Sequence, residues 1–452
     1  MINRILAIIK SKFSKSLNKK DILQNIGWLF FDKIFRVGLG FVLTAWTARH
    51  LGTELFGVWN YAIAFVALFS VLSTLGLESI VVKELVKSEV DKQEILGGAF
   101  FLRLVGGVAG IILSVVILYF IHSGERFQIL IAGLIAAGFI FQSFDVIDYF
   151  FQSKLKSKHA VLARNISFTL SAFLKITLLL GKFSLLYFVV ANLIELAITS
   201  FCLIYMYNRQ GRSILFWKLS RKAVTKLLKE SWPLSLASMV ILIYMRSDQI
   251  MLGNMISNRE VGVFSAAVRL SEAWWFIPMI VTNSILPSIL ASKAENQKSY
   301  IHKIQMSFDL MAVLGVIIAI GVTFFATEII QFIYQSDYYA AAPILAIHTW
   351  TSVFVFMGFA SSNWFVTENL QKYVFYRTLA GAFLNLILNW VLIPPYQGVG
   401  AAYATLFSQF VASYFFNAFS VRTRIIFKMQ TLALLKVTGI YYFYFLYMSK
   451  FK

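Results

Sequence analysis

Apolar runs of roughly 20 to 28 residues, each parted from the next by a short polar break, fill most of this chain. A helix rising 1.5 Å per residue needs about 20 such residues to cross about 30 Å of hydrocarbon. The runs therefore predict spanning helices near 23–48, 55–82, 96–121, 127–152, 160–181, 183–207, 231–256, 262–290, 307–334, 340–366, 373–394 and 398–420, twelve crossings in all. With 59% hydrophobic residues, 16% aromatic residues and a mean hydropathy of +0.74, the chain is far from the balance of a soluble globular protein. Alternating ten-residue strands of the outer-membrane barrel type do not occur. The expected fold class is an all-α integral membrane protein. One further apolar stretch, TLALLKVTGIYYFYFLY at 431–447, contains Lys436. Spanning, interfacial and bundle-packed placements stay open for it.

Basic residues set the expected orientation, because loops rich in lysine and arginine stay cytoplasmic. Arg4, Lys10, Lys12, Lys15, Lys19 and Lys20 crowd the N-terminal tail, and loops 83–95, 153–159, 208–229, 291–304, 367–377 and 421–430 are basic. The intervening breaks hold only Arg49, Arg126, Lys182 and Arg259. A multi-pass membrane protein with a cytoplasmic N-terminus is expected. Charges break the apolar core of the tail and no small-residue cleavage site follows, so it reads as a polybasic amphipathic flank rather than a secretory signal. The net charge of +20 would suit nucleic acid in a soluble protein. Here the positive-inside pattern and anionic headgroups account for it, so membrane lipids and not nucleic acid are the expected partners. The single Cys202 allows neither an intrachain disulfide nor a cysteine metal site.

The longest non-apolar segment, NRQGRSILFWKLSRKAVTKLLKE at 208–230, divides the runs six and six. The expected organisation is a cytoplasmic tail (1–22), an N-lobe (23–207), a cytoplasmic linker (208–230), a C-lobe (231–420) and a C-terminal segment (421–452). The lobes echo one another: LGTELFGVWNYA (51–62) joins the first two helices and LGNMISNREVGVFSAA (252–267) joins the seventh and eighth. With six helices per copy this is a parallel repeat about an axis along the membrane normal, which predicts a binding cavity between lobes near the midplane.

The segments RSDQIMLGN, EVGVFSAAVRLSEAWWFIP, ILPSI and LNLILNWVLIPPYQGVGAAYAT (384–405), with the LG…FGV junction, resemble the Wzx-type flippases of O-antigen and related polysaccharides. That family shares a superfamily with drug antiporters and the lipid II flippase. The resemblance runs from about Leu23 to about Ser420. It implies twelve helices in two lobes and translocation of an undecaprenyl-diphosphate-linked oligosaccharide. The extra C-terminal run and PPYQGVG depart from the pattern.

Charges inside the runs single out candidate residues, since a charge at the bilayer centre is costly unless it faces protein or water. Asp32, Lys33 and Arg36 lie roughly 18 to 26 Å along the helix from Lys20 and Arg49, beyond reach of either headgroup layer. Asp32 and Arg36, four apart, can pair, whereas Lys33 points elsewhere and is expected to face a cavity. Arg246 and Asp248 are two apart and cannot share a face. With Arg269 and Glu272 they form an expected network, either a clamp between helices seven and eight, with Asp248 meeting Arg269, or a cavity lining. Asp145 and Asp148 share a helix face; Glu78, Arg103, Arg164 and Asp309 are expected to snorkel to the cytoplasmic interface. Asn385 and Asn389 form a polar stripe that can hydrogen-bond a neighbouring helix or the sugar, packing being the expected use.

Lys33, Arg36, Arg246 and Arg269 are the candidate cations for a phosphorylated headgroup. Asp32, Asp145, Asp248, Glu272 and Asp309 are candidates for ion coupling, by H+ or Na+, or for structural roles. The lone His348 reads as a satisfied buried histidine, and no P-loop or metal-spaced cluster occurs. No cofactor is expected, and the transporter reading stands above a polymerase or acyltransferase. A cation-coupled drug antiporter is the nearest alternative. Beyond the lipid-linked oligosaccharide, polysaccharide assembly proteins are candidate partners.

Overall fold

A computed structural model describes residues 19–87 and 91–439, with side chains from Arg36 onward except at Val37, Ala294 and Glu295. Every regular element in it is helical, and ten helices are long and apolar enough to cross a membrane. Phe120, Phe173, Leu180, Phe201, Phe324, Phe383 and Trp390 are each more than 60% exposed, a burden that only a lipid surroundings would relieve. Helix bounds follow the apolar runs closely, for example Lys92–Ile121 against 96–121 and Leu185–Asn208 against 183–207.

Two long helices carry a single non-helical residue where the sequence predicts a break. In α1 (Lys19–Thr74) it is Gly52, at φ 72° and ψ 174°, a conformation glycine adopts without a Cβ penalty. Gln397, at φ 52° and ψ −131°, interrupts Gln371–Ser413 just after Pro394 and Pro395. Prolines cannot donate to the helical ladder, which makes this the natural point for a bend.

The described residues form two compact units, one drawn from 19–47 and 69–236, the other from 48–68 and 237–439. In the first unit, α2 (Leu77–Lys87), α3 (Lys92–Ile121), α4 (Arg126–Gln142), α5 (Val146–Ser153), α6 (Lys158–Leu180) and α7 (Leu185–Asn208) follow α1. Leu77, Val81, Leu96, Ile147, Phe151 and Leu203 form its core.

Residues 208–230 are packed onto this unit. The helix α8 (Arg221–Met255) begins ten residues before the expected start at 231, because Ala223 and Leu227, four apart, bury one face. Glu84, only 3% exposed, takes Lys226 as its partner, and Lys83 meets Glu230 at 2.7 Å.

The second unit holds 48–68 of α1, the later part of α8, α9 (Asn258–Glu272), α10 (Phe276–Glu295), α11 (Gln297–Phe324), α12 (Ala326–Tyr334), α13 (Ala341–His348), α14 (Thr351–Thr367), α15 (Gln371–Ser413) and α16 (Arg424–Val437). Phe308, Met311, Phe356, Met357, Phe365 and Ile426 centre its core. The apolar stretch at 431–447 is helical through Val437, while 440–447 lie outside the described residues. Its Lys436 meets Asp309 at 2.6 Å, so α16 packs against α11 through an ion pair as well as apolar contact.

Candidate functional site

Within the second unit, α1, α8, α9, α13 and α15 surround a polar cavity of about 260 Å³. Arg246 and Asp248 from α8 line it with Arg269 and Glu272 from α9, one turn apart on that helix. Both copies of the repeat contribute, since Asn60 also lines the wall.

Asp248 is 6% exposed and is held from one side. Asn389 Nδ2 donates to its Oδ1 at 2.6 Å, Asn385 Nδ2 to the same oxygen at 3.0 Å, and Thr405 Oγ1 to its Oδ2 at 2.6 Å. Ser247 adds a bond from its hydroxyl to Asn385 Oδ1 at 2.6 Å. Asn385 and Asn389 precede the Gln397 bend and Thr405 follows it, so one carboxylate fastens both limbs of α15 to α8. The expected bond to Arg269 does not form: among the described residues, Arg246, Asp248, Arg269 and Glu272 make no ion pair within 4.0 Å. Three neutral donors on α15 satisfy the aspartate, which leaves both arginines free of it.

Arg246 is sparsely engaged: among the described residues its hydrogen bond is to Gln249 Oε1, at 3.4 Å, and its buried Nε has no partner. Gln249 is itself tied to Ser265 at 3.1 Å. Buried Tyr244 Oη and Trp275 Nε1, also in the lining, have no hydrogen-bond partner either. Glu272 lies in the field of both Arg246 and Arg269. His348, 1% exposed, pairs its Nδ1 with Ser271 Oγ at 2.6 Å and faces Phe264 edge-on. The cavity thus offers two guanidinium groups, two carboxylates, Glu272 and the α15-bound Asp248, and several donors awaiting acceptors.

At one end of the unit, the two copies of the repeat press together. A Cβ on Gly57 would lie 1.7 Å from the Asn258 carbonyl oxygen, and one on Gly262 would lie 2.0 Å from that of Thr53. Tyr61 Oη donates to Asn254 Oδ1 at 2.8 Å, Tyr338 Oη donates to the Ala48 carbonyl at 2.9 Å, and Arg49 donates to the carbonyls of Ile333 and Phe332. Residues 48–62 are thereby latched to 252–262 and to 332–338.

The first unit has its own charged cavity of about 290 Å³, lined by Arg36, Asp145, Arg164, Glu195 and neighbouring polar groups. Its charges are matched. Arg103, 2% exposed, meets Asp145 at 3.2 Å and the Tyr149 hydroxyl; Arg164 pairs with Asp148; Lys175 meets Glu195 at 3.0 Å. Arg36 stands over the Phe168 ring at 5.8 Å. Arg103 therefore does not snorkel as expected, because Asp145 and Tyr149 give it partners where it is buried. The side chains of Asp32 and Lys33 lie outside the described residues. Asp309 is engaged by Lys436 and by Gln305 Nε2 at 2.7 Å.

Sequence reasoning missed Arg377, grouped with a basic loop. It is 5% exposed, donates to Ser361 Oγ at 2.7 Å and stands over the Phe365 ring at 5.0 Å. The small-residue run GFASS at 358–362 was the available signal for a buried arginine there.

A family model described as "Polysaccharide biosynthesis protein" matches residues 22–292, and one described as MatE matches 233–391. A probable low-salt glycan biosynthesis flippase of Haloferax volcanii is 24% identical over 401 residues, covering 86% of this chain and 81% of that protein. An uncharacterized membrane protein of Methanocaldococcus jannaschii is 24% identical over 396 residues, covering 84% and 93%. Among solved structures, the lipid II flippase MurJ in an inward closed conformation superposes with a TM-score of 0.71 at 17% identity, covering 93% of this chain and 92% of that one. An inward-facing multidrug resistance MATE family transporter of the MOP superfamily gives 0.69 at 15% identity, covering 89% and 95%. These likenesses establish an all-α, multi-pass membrane fold of the transporter type.

Proposed function

Because the chain belongs to the polysaccharide biosynthesis protein family, we propose that it is a flippase that moves an undecaprenyl-diphosphate-linked oligosaccharide across the bacterial inner membrane. The observation that carries this reading is the pair Arg246 and Arg269 in a polar cavity, neither neutralised by a salt bridge within 4.0 Å among the described residues. A diphosphate needs cations that are not already spent on carboxylates, and arginine meets it by bidentate hydrogen bonding. Arg246 Nε, Tyr244 Oη and Trp275 Nε1 are donors lacking acceptors, as a phosphate or sugar oxygen requires.

The mechanism we propose is alternating access by an N-lobe (23–207) and a C-lobe (231–420), with the N-terminus in the cytoplasm. The latch of 48–62 on 252–262 and 332–338 closes the far side, so the cavity loads from the cytoplasmic side. Cargo is held by charge and hydrogen bonding and released without covalent chemistry. Lys33 and Arg36 of the N-lobe are our further candidate cations for the phosphorylated headgroup.

Asp248 is our candidate for coupling to H+ or Na+. An asparagine amide can present either its oxygen or its nitrogen, and Asn389 Oδ1 is buried without a partner among the described residues. Turned over, these amides would join the carboxylate and Thr405 as oxygen donors to a hard cation. The test is genetic: removal of the chain should strand lipid-linked oligosaccharide in the cytoplasmic leaflet. Normal glycan export in its absence would overturn the proposal.

A further inference from the structure

Residues 209–220 of the first unit present apolar side chains to the outside: Leu215 is 87% exposed, Phe216 63% and Leu219 63%. Such exposure is untenable in water and ordinary within a bilayer interface, where aromatic and aliphatic groups sit below a layer of basic ones. The segment is held down rather than loose. Lys218 N donates to the Gln93 carbonyl at 3.2 Å, and Gly97 lets the Lys218 backbone approach, since a Cβ there would lie 2.4 Å from its carbonyl oxygen. Trp217 packs between Phe100 and Tyr207, at ring distances of 5.4 and 6.0 Å. Beneath the segment runs an apolar groove of about 310 Å³, lined by Phe100, Phe101, Leu104, Phe144, Leu215 and Leu219 among others.

A group of cations stands on the same side of the unit. Lys92 opens α3, the helix whose next turns carry Gly97, Phe100 and Phe101 into the groove wall. Lys154 has Lys92, Arg212 and Lys156 as cationic neighbours close enough to repel it. Burial and these neighbours push the Lys154 ammonium down from the ordinary lysine range. Arg212 is fixed over the Phe150 ring at 5.4 Å. Among the described residues none of these four cations makes an ion pair within 4.0 Å; the adjacent Lys218 meets Asp91 at 3.7 Å.

We propose that the groove under residues 212–219 and the Lys92, Lys154, Lys156 and Arg212 cluster together bind an anionic phospholipid of the membrane leaflet they face. One acyl chain lies in the groove and the phosphate sits among the cations. Charge complementarity selects the occupant: basic side chains that make no ion pair within 4.0 Å among the described residues neighbour an apolar slot, and the surface it faces carries negative headgroups. The inference rests on the multi-pass membrane fold and is independent of the cargo.

The test is titration of the purified full chain in neutral detergent with phosphatidylglycerol or phosphatidylcholine, read by native mass spectrometry. Wild-type protein should retain one phosphatidylglycerol at least fivefold more tightly than phosphatidylcholine. The K92Q/K154Q/R212Q variant should lose that preference, and K92R/K154R should keep it. Leu215→Asp alters a side chain exposed enough to leave the fold intact, and should weaken retention of the same lipid. Equal retention by wild type and both weakened variants would overturn the proposal. Preferential capture of undecaprenyl phosphate over phosphatidylglycerol would also overturn it, reassigning the groove to a substrate tail.

Discussion

Gly57 and Gly262 hold matching places in the two copies of one sequence motif and lie against each other. The position of a Gly57 Cβ is 1.7 Å from the Asn258 carbonyl oxygen, that of a Gly262 Cβ is 2.0 Å from the Thr53 carbonyl oxygen, and each site has the other glycine's backbone nitrogen at 3.0 Å. The contact is reciprocal, as a repeat demands, and it tolerates no side chain on either helix. Within the proposed mechanism it is the closed gate.

Gly57→Val should therefore keep this end apart. In a Cys202→Ser background, a cysteine at Ser265 in the cavity lining should become reactive to a membrane-impermeant maleimide added outside intact cells, with export reduced at least tenfold. Labelling no greater than with Gly57 intact would refute the gate.

Removing charge from the cavity should act on cargo rather than on folding. Arg246→Gln and Arg269→Gln should each lower export by about tenfold or more, the equivalent of about 1.4 kcal/mol, at unchanged abundance. Arg246→Lys should recover part of it, because a point charge keeps some attraction without the bidentate fork. Wild-type export from Arg246→Gln would remove that residue from the site.

Asp248 should behave differently, since its partners are Asn385, Asn389 and Thr405. Thr405→Val leaves one carboxylate oxygen without its donor and should cost about 1.5–3 kcal/mol, the range for hydrogen bonds to charged groups, measurable as a lower Tm. Asp248→Asn should abolish dependence of transport on a proton or sodium gradient. Adding Arg269→Gln to Asp248→Asn should rescue nothing, because the two residues are not paired. Rescue would contradict the observed bonding.

In the first unit, Arg103→Gln takes the charge from a buried site and leaves the half-buried Asp145 without it, which should cost about 1.5–3 kcal/mol, the range for hydrogen bonds to charged groups. Lys83→Gln, at a pair whose lysine is 45% exposed, should change stability by less than about 1 kcal/mol. Similar melting temperatures for the two variants would show that the Arg103 network bears no structural load.

The helices were legible because hydrocarbon thickness imposes a run length that any sequence must display. The bends at Gly52 and Gln397 were legible too, marked by glycine and by two prolines. Charge partners were not. Periodicity places Asp248 and Asn389 on helix faces, yet nothing local says that these residues, 141 apart in sequence, meet. Arg103 was expected at the interface for the same reason, since its partners Asp145 and Tyr149 come from another stretch of chain. The segment at 208–230 read as a linker because its charges dominate composition. Its spacing of Ala223 and Leu227 already held the amphipathic face that packs it down.

The central claim is translocation of a lipid-linked oligosaccharide through the Arg246 and Arg269 cavity. It is tested most directly by reconstituting the purified chain in vesicles that carry undecaprenyl-diphosphate-linked oligosaccharide and measuring how much becomes accessible to an external sugar-modifying enzyme. Wild-type vesicles should expose the pool initially confined to the inner leaflet, and the R246Q/R269Q variant should leave it protected. Equal protection in wild-type, variant and protein-free vesicles would contradict the account.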